Sequence, residues 1–402
     1  GVVGRQCWMC IRGRLGAWQN QVSLYAVAAE SADDIAAAVN FARDKRVRLA
    51  VKGTGHDYLG RSNAPDSLLV WTQNMREVTF HPEFRPAGAD AARPPVSALS
   101  VAAGARWLEA YQEATANGVY VQGGGCTSVG ACGGFTLGGG FGNFSKRFGS
   151  GAGGVLEMEV VTADGQVRIV NEAQDADLFW ALRGGGGGNF GVVTALEFAL
   201  HPLGQVEGGA LFWPIERAPE VLPAWWDWAG ALPEDVSTIG RVLRMPPLEA
   251  VPPPLRGRAF VVVEVADLRG PGQLEGLLAP LRALGPEMDT VATFAPPGLG
   301  ELHMDPQDPV PGVGDGALLA EVTGATIDAL VAAVGPDSDT PLLSVEIRQL
   351  GGALARPPAG AGVISHTDAQ GLLYGVGIAP GPYGRAEVDP EGMFRATHPI
   401  TA

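Results

Sequence analysis

After Ser31, apolar residues recur at helical spacing through Ile35, Val39 and Ala42. They predict a helix capped by that serine, with Asp33 and Asp34 in its first turn. The period then drops to two. Val47, Leu49 and Val51 alternate with polar residues and predict a strand that runs into the loop Gly53-Thr54-Gly55-His56-Asp57. Further strands are expected at Leu68 to Trp71, at Val78 to Phe80 and near Ser100. Trp107, Ala110, Tyr111 and Ala114 mark a helix stopped by Asn117-Gly118, and Val119 to Val121 a short strand.

That strand leads into Gly123 to Gly149, GGGCTSVGACGGFTLGGGFGNFSKRFG. Glycine this dense suits neither a regular helix nor a packed strand, because each one loses more backbone entropy on ordering than any other residue. The segment therefore needs a ligand. Successive backbone N–H groups can form concave nests for anionic or carbonyl-rich groups, so a long nucleotide cofactor is the natural candidate. Beyond it, Asp164-Gly165 between two β-patterned runs is a hairpin signal, Asp177 to Leu182 a short helix and Phe190 to Leu200 a strand. Gly186, Gly188 and Gly191 satisfy the G-x-G-x-x-G spacing, but they follow a helix and precede a strand. The dinucleotide fingerprint needs the opposite order, which excludes a nicotinamide site of that type.

Composition narrows the classes. The chain has 402 residues, 46% hydrophobic and 18% charged, enough for two or three cores. A net charge of −15 argues against nucleic-acid or anionic-membrane partners. No apolar run approaches a membrane span, and the N-terminal GVVGRQCWMCIRGRLG lacks signal-peptide organisation, leaving a cytoplasmic or a secreted location open. Four cysteines in this length exclude a disulfide scaffold, and Cys7-x-x-Cys10 without a second pair reads as a local disulfide or free thiols. No metal site is expected. His303 has no companion ligands at metal spacing and reads as a hydrogen-bonded loop histidine within the loop Leu302 to Gly316.

Several motifs in order carry a family resemblance: KGTGHDYLGRS (Lys52 to Ser62), GGGCTSVGACGGFTLGGGFG (Gly123 to Gly142), LFWALRGGGGGNFGVVT (Leu178 to Thr194) and DPEGMF (Asp389 to Phe394). Together they resemble the berberine bridge enzyme-like oxidases of the vanillyl-alcohol oxidase fold, most closely the isoamyl-alcohol-oxidase-like subgroup. The resemblance implies an α+β protein: a PCMH-type FAD-binding domain over residues 1–202, an α+β substrate domain with an antiparallel sheet over 203–378, and a tail, 379–402, that returns to the first. It implies FAD bound bicovalently, His56 attaching to the flavin 8α-methyl and Cys126 to ring carbon C6. Gly53, Thr54, Gly55 and Asp57 would form the pyrophosphate loop. Val129, Gly130, Gly133, Gly134, Gly138, Gly139, Gly140 and Gly142 would pass along the isoalloxazine and ribityl chain, and Gly191, Val192 and Val193 would contact the adenine half. N–H dipoles of a glycine loop would favour a Cys126 thiolate. Cys132 stands where the family has a small residue and reads as a buried, inert thiol.

The second half turns rich in proline, tryptophan and leucine after His201-Pro202. Trp225, Trp226 and Trp228 cluster, Ala259 to Val265 is an evident strand, and Leu274 to Leu284 a helix interrupted by Pro280. In LLSVEIRQLGG, Leu342 to Gly352, alternation puts Ser344, Glu346 and Arg348 on one face and Val345 and Ile347 on the other. By resemblance the first face lines the substrate cavity, and the family's acidic general-base position holds Arg348, which argues against alkaloid cyclisation. Glu346 is then either a base or the salt-bridge partner of Arg348. Tyr374, on the neighbouring strand, is a second proton-handling candidate. The family has several dozen more residues between Ile378-Ala379-Pro380 and Asp389, so either part of the protein lies outside this sequence or its site is more open.

The expected function is oxidation of a primary or secondary alcohol, carbohydrate hydroxyls included, by hydride transfer to flavin with dioxygen reduced to hydrogen peroxide. A dehydrogenase with another electron acceptor carries the same motifs, and a non-catalytic flavin-binding remnant is the reading from a different class. The sequence fixes neither the substrate nor the oligomeric state.

Overall fold

The computed structural model describes residues 2–4, 23–57, 60–249, 251–305 and 312–378. The expectations placed on Cys7 and Cys10 and on the tail 379–402 lie outside the described residues. The helix after Ser31 is α1 (Ala32–Lys45), and Ser31 Oγ accepts the Asp34 backbone N–H at 3.2 Å. Its buried face, Ile35, Ala38, Val39 and Ala42, covers a small sheet. That sheet contains β1 (Val2–Gly4), β2 (Tyr25–Ala28), β3 (Arg48–Lys52) and β4 (Ser67–Trp71) in the order β1-β2-β4-β3, with β2, β4 and β3 parallel.

A second, antiparallel sheet follows. Its order is β5 (Val78–Phe84), β6 (Val96–Ala102), β10 (Val192–Pro202), β8 (Val155–Val161) and β9 (Val167–Asn171), and β7 (Val119–Val121) pairs with β10. The Asp164-Gly165 turn joins β8 to β9 as its sequence predicts, with Gly165 at φ 75°. Helix α2 (Trp107–Ala116) packs on the sheet and ends at Asn117 and Gly118, the latter at φ 68°. The glycine stretch crosses this layer as loop, one π-helical turn at Ala131–Thr136, and the short α3 (Ser145–Phe148). The sequence reading allowed no helix there. The turn is nonetheless irregular, since Gly133 breaks it with φ −70° and ψ −112°, a backbone that glycine tolerates. The third glycine run lies between α4 (Ala176–Leu182) and β10, the reverse of a dinucleotide fingerprint.

The remaining strands form one antiparallel sheet. It contains β11 (Val206–Pro214), β12 (Val236–Arg244), β13 (Ala259–Asp267), β14 (Met288–Asp289), β16 (Gly312–Leu319), β17 (Leu342–Gln349) and β18 (Gly371–Ile378), in the order β14-β11-β13-β12-β17-β18-β16, and β15 (Ala292–Phe294) pairs with β11. Val242, Val261, Val263, Val265, Val345 and Ile347 pack on one face against α5 (Ala218–Ala229), α6 (Leu274–Arg282) and α8 (Gly324–Val334). Trp225 is fully buried in this layer and donates to Thr238 Oγ1 at 2.9 Å. Helix α6 continues through Pro280 rather than breaking there. Pro280 and Gly276 sit on its exposed side, so water can reach the Gly276 carbonyl that a non-proline residue would have bonded. A short helix, α7 (Leu299–Leu302), replaces the start of the loop expected from Leu302.

The core beneath the central glycine stretch is aromatic. Trp107 is fully buried, 5.1 Å edge-on from Phe135, 5.6 Å from Phe198 and 5.8 Å from Tyr111 by ring centroids. Gly123 lies directly on that indole: a Cβ added there would stand 2.3 Å from Trp107 Cε3. Gly123→Ala should therefore cost about 1–3 kcal/mol through forced displacement of packed rings. Urea denaturation checks it, and an unchanged midpoint would show that Trp107 moves freely.

Candidate functional site

β3 delivers the first glycine loop beside the second. Trp71 Nε1 donates to the Gly53 carbonyl at 3.0 Å, and Thr54 Oγ1 accepts the Gly130 N–H at 2.9 Å, so the two loops are tied through a side chain. Asp57 accepts from Arg61, at 2.5 Å from the backbone N–H and 2.9 Å from the guanidinium, and so closes the first loop on itself. His56 and Cys126 meet across this junction. Ser128 Oγ lies 3.1 Å from His56 Nε2 and 3.4 Å from Cys126 Sγ and joins the two side chains.

The two cysteines among the described residues differ in access. Cys132 is fully buried and donates to the Val101 carbonyl at 3.1 Å; burial and the nearby Glu197 carboxylate push its thiol far up, so it is inert. Cys126 is only partly buried. Its thiol is pushed up as well, by burial first and then by the Asp305 carboxylate, with Ser128 opposing. This corrects the expectation of a thiolate: burial, reinforced by the neighbouring carboxylate, favours the neutral thiol.

The glycines named in the sequence serve two purposes. Gly133 and Gly134 have open space where a Cβ would stand, leaving bare backbone as a ligand surface. Gly138 and Gly142 are instead needed by the chain itself, since a Cβ would lie 2.7 Å from the Gly134 carbonyl oxygen and 1.8 Å from that of Gly123. Gly140 lies similarly against Phe135, Gly139 against Ile364, and Gly191 against Val160 and Val161. Val192 and Val193 point into apolar cores and Val129 packs against one, so their side chains are structural. The bare glycine backbone and the two partly exposed side chains, His56 and Cys126, fit a flavin nucleotide.

Across from these loops is the open face of the large sheet. The pairings Arg241 to Glu346 and Glu346 to Tyr374 put these three side chains on one face, with Arg348 two residues along β17. Glu346 is 3% exposed and takes Arg241 Nε at 2.9 Å on one oxygen, with Arg348 Nε at 2.7 Å and Nη2 at 2.5 Å on the other. Arg241 Nη2 reaches Glu264 at 2.8 Å, and Glu264 holds His303 Nδ1 at 2.6 Å. His303 Nε2 contacts Asn143 Oδ1 of the glycine stretch at 2.8 Å. Burial pushes the Glu346 carboxyl up, but the Arg348 and Arg241 guanidiniums, with His303, hold it down at about 2. Glu346 is thus a permanent counter-ion with both oxygens engaged, and a poor base. Arg348 keeps 24% of its side chain exposed beside a pocket of about 20 Å³ that Asn143, Lys146, His303 and Gln349 also line. That space holds about one water. Lys146 Nζ, in turn, donates to Gln349 Oε1 at 2.9 Å and links α3 to β17.

The sequence reading missed Arg241, Glu264, Asn143 and Lys146, and it took His303 for a loop residue. Glu264 did carry a signal. A carboxylate in the middle of the apolar run AFVVVEVA must find a buried partner.

Comparison with known proteins agrees with this geometry. Residues 23–171 match the FAD binding domain family. The chain is 46% identical over 184 residues to the FAD-linked oxidoreductase easE of Aspergillus fumigatus, covering 46% of this chain and 29% of that protein. It is 42% identical over 191 residues to the FAD-linked oxidoreductase ZEB1 of Gibberella zeae, covering 48% and 32%. Over this region the chain is similar to FAD-linked oxidoreductases, and residues 23–171 form an FAD binding domain. It spans about a third of the length of the curated relatives it matches. The likeness in fold extends over nearly the whole chain. 6-Hydroxy-D-nicotine oxidase of Arthrobacter nicotinovorans superposes with a TM-score of 0.79 at 21% identity, covering 97% of this chain and 83% of that one. A berberine bridge enzyme variant gives 0.76 at 17% identity, covering 95% and 76%.

The ionised Glu346 has a consequence for stability. Its folded-state carboxyl lies near 2 against an ordinary 4.5, so its contribution is complete above about pH 4.5 and is lost as pH falls toward about 2. Glu346→Gln should lower stability at neutral pH by about 3–5 kcal/mol, because Arg241 loses a partner in a buried setting. It should also flatten the decline across the acid window. Denaturant midpoints at a series of pH values test both, and parallel curves for the two proteins would contradict the assignment.

Proposed function

We propose that this protein is an FAD-dependent oxidase of the isoamyl-alcohol-oxidase-like kind that oxidises an alcohol, carbohydrate hydroxyls included, and carries its flavin on both His56 and Cys126. The observation that carries the reading is the junction of the two glycine loops, which presents two attachment side chains beside bare glycine backbone. A protein that merely retained the fold would need neither. FAD held at this junction would supply the hydride acceptor for the carbinol carbon and the means of reducing dioxygen to hydrogen peroxide.

The chain's own residues place the substrate and handle its proton. Arg348 keeps an exposed edge beside the pocket while Glu346 fixes its other edge, so its guanidinium offers hydrogen bonds to a substrate oxygen in a set orientation. Glu346 orients and does not abstract. Tyr374, in register with Glu346 on β18 and half-buried, is the group we assign to the hydroxyl proton.

Acid precipitation of the purified protein tests attachment. Flavin absorbance should stay in the washed pellet for wild type and for Cys126→Ala, fall in His56→Ala, and leave it in the double variant. A colourless wild-type pellet would remove covalent attachment, and no flavin in the supernatant either would end the oxidase reading. Peroxide release over a panel of alcohols then tests the reaction. Tyr374→Phe should lower kcat by about 10²- to 10⁴-fold with flavin content unchanged. Flavin present with no peroxide on any alcohol would favour a dehydrogenase or an inactive binding protein.

A further inference from the structure

Cys126 is placed to attach to a cofactor, yet its thiol is held protonated. A thiol is a poor nucleophile until it loses its proton, so the site requires a route for that proton. The charged and titratable groups facing the thiol are few among the described residues. Asp305 lies beside it and opposes ionisation. The His303 ring packs against the preceding residue, with its Cδ2 and Nε2 2.6 Å from where a Gly125 Cβ would stand, but both its nitrogens are engaged, by Glu264 and Asn143. His56 is reached through one hydroxyl: Cys126 Sγ to Ser128 Oγ is 3.4 Å, and Ser128 Oγ to His56 Nε2 is 3.1 Å. Asp57, next to His56 in the chain, is turned to Arg61.

We propose that Ser128 is a proton relay that activates Cys126, with His56 as the terminal base. One proton leaves Cys126 Sγ for Ser128 Oγ as the serine's own proton passes to His56 Nε2, giving a thiolate, an unchanged hydroxyl and an imidazolium. No electrons move in this step. Ser128 is thus a positioning residue for cofactor attachment rather than a group that touches substrate, and His56 acquires a second role besides its own link. The relay rests on the attachment reading above, but it makes a separate claim about a thiol that can be measured without turnover.

The test uses the full-length purified protein as wild type, Ser128→Ala, Ser128→Thr and Asp305→Asn. Peptide mass spectrometry measures the share of Cys126 carrying flavin, and the remaining free Cys126 is alkylated with iodoacetamide at several pH values. Ser128→Ala should cut both the flavin-linked share and the alkylation rate near neutral pH by at least about tenfold, an effect in the lower range of general base assistance. Ser128→Thr keeps a hydroxyl and should restore both. Asp305→Asn should speed alkylation, because an opposing charge is gone. Equal linkage and alkylation in wild type and Ser128→Ala would overturn the relay, as would slower alkylation in Asp305→Asn, which would make Asp305 the base. If wild type carries no flavin on Cys126, the attachment reading falls, and the alkylation comparison alone still decides the relay.

Discussion

The run of buried charges from Arg348 through Glu346, Arg241 and Glu264 to His303 and Asn143 is the constraint on which the arrangement of this protein depends. Removing a carboxylate from water costs several kcal/mol, and only a complete set of close partners offsets it. Glu346 meets that condition with two guanidiniums, and Glu264 with Arg241 and His303. Charges alternate along the row, two positive and two negative, with a histidine at its end. Each member is held by the next.

The row also crosses between parts of the chain. It begins on β17, passes through β12 and β13, and ends on the glycine stretch at Asn143, while the His303 ring lies against Gly125. Lys146 makes a second crossing to Gln349, and burial lowers its ammonium from the ordinary range, an effect that nearby Glu234 opposes. The loop that bears Cys126 is therefore braced from the sheet that bears Arg348. Aromatic packing supports the same loop from below, with Trp107 against Gly123. The glycine loops and the open sheet face are one mechanical unit.

Much of this was legible in the sequence where short-range chemistry decides the outcome. Serine before an apolar period of three to four gave α1, Asp164-Gly165 gave its hairpin, and alternation in LLSVEIRQ separated Glu346 and Arg348 from Val345 and Ile347. The meeting of His56 with Cys126 was legible only through family resemblance, since nothing local relates two loops so far apart in the chain. The partners of Glu346 were less readable still. Arg241, Glu264 and His303 come from three separate elements, and no periodicity says which buried carboxylate takes which guanidinium. Pro280 misled because a proline's cost depends on whether water can reach the carbonyl it leaves unpaired. The thiolate expectation failed for a related reason: the burial of Cys126, and the approach of Asp305 from far along the chain, are set only by the folded arrangement.

The two faces of the large sheet divide labour residue by residue. Along β17, even-numbered positions from Ser344 to Arg348 face the site, and Val345 and Ile347 between them are sealed under helices. A substitution on the first set alters the side chains around the pocket and leaves the helix-packed layer untouched, whereas one on the other set weakens that layer directly. Such a strand can diversify at alternate positions. Glu346 is the exception, because the carboxylate that holds Arg348 beside the pocket also keeps the buried Arg241 paired, so no change there is free of a stability cost.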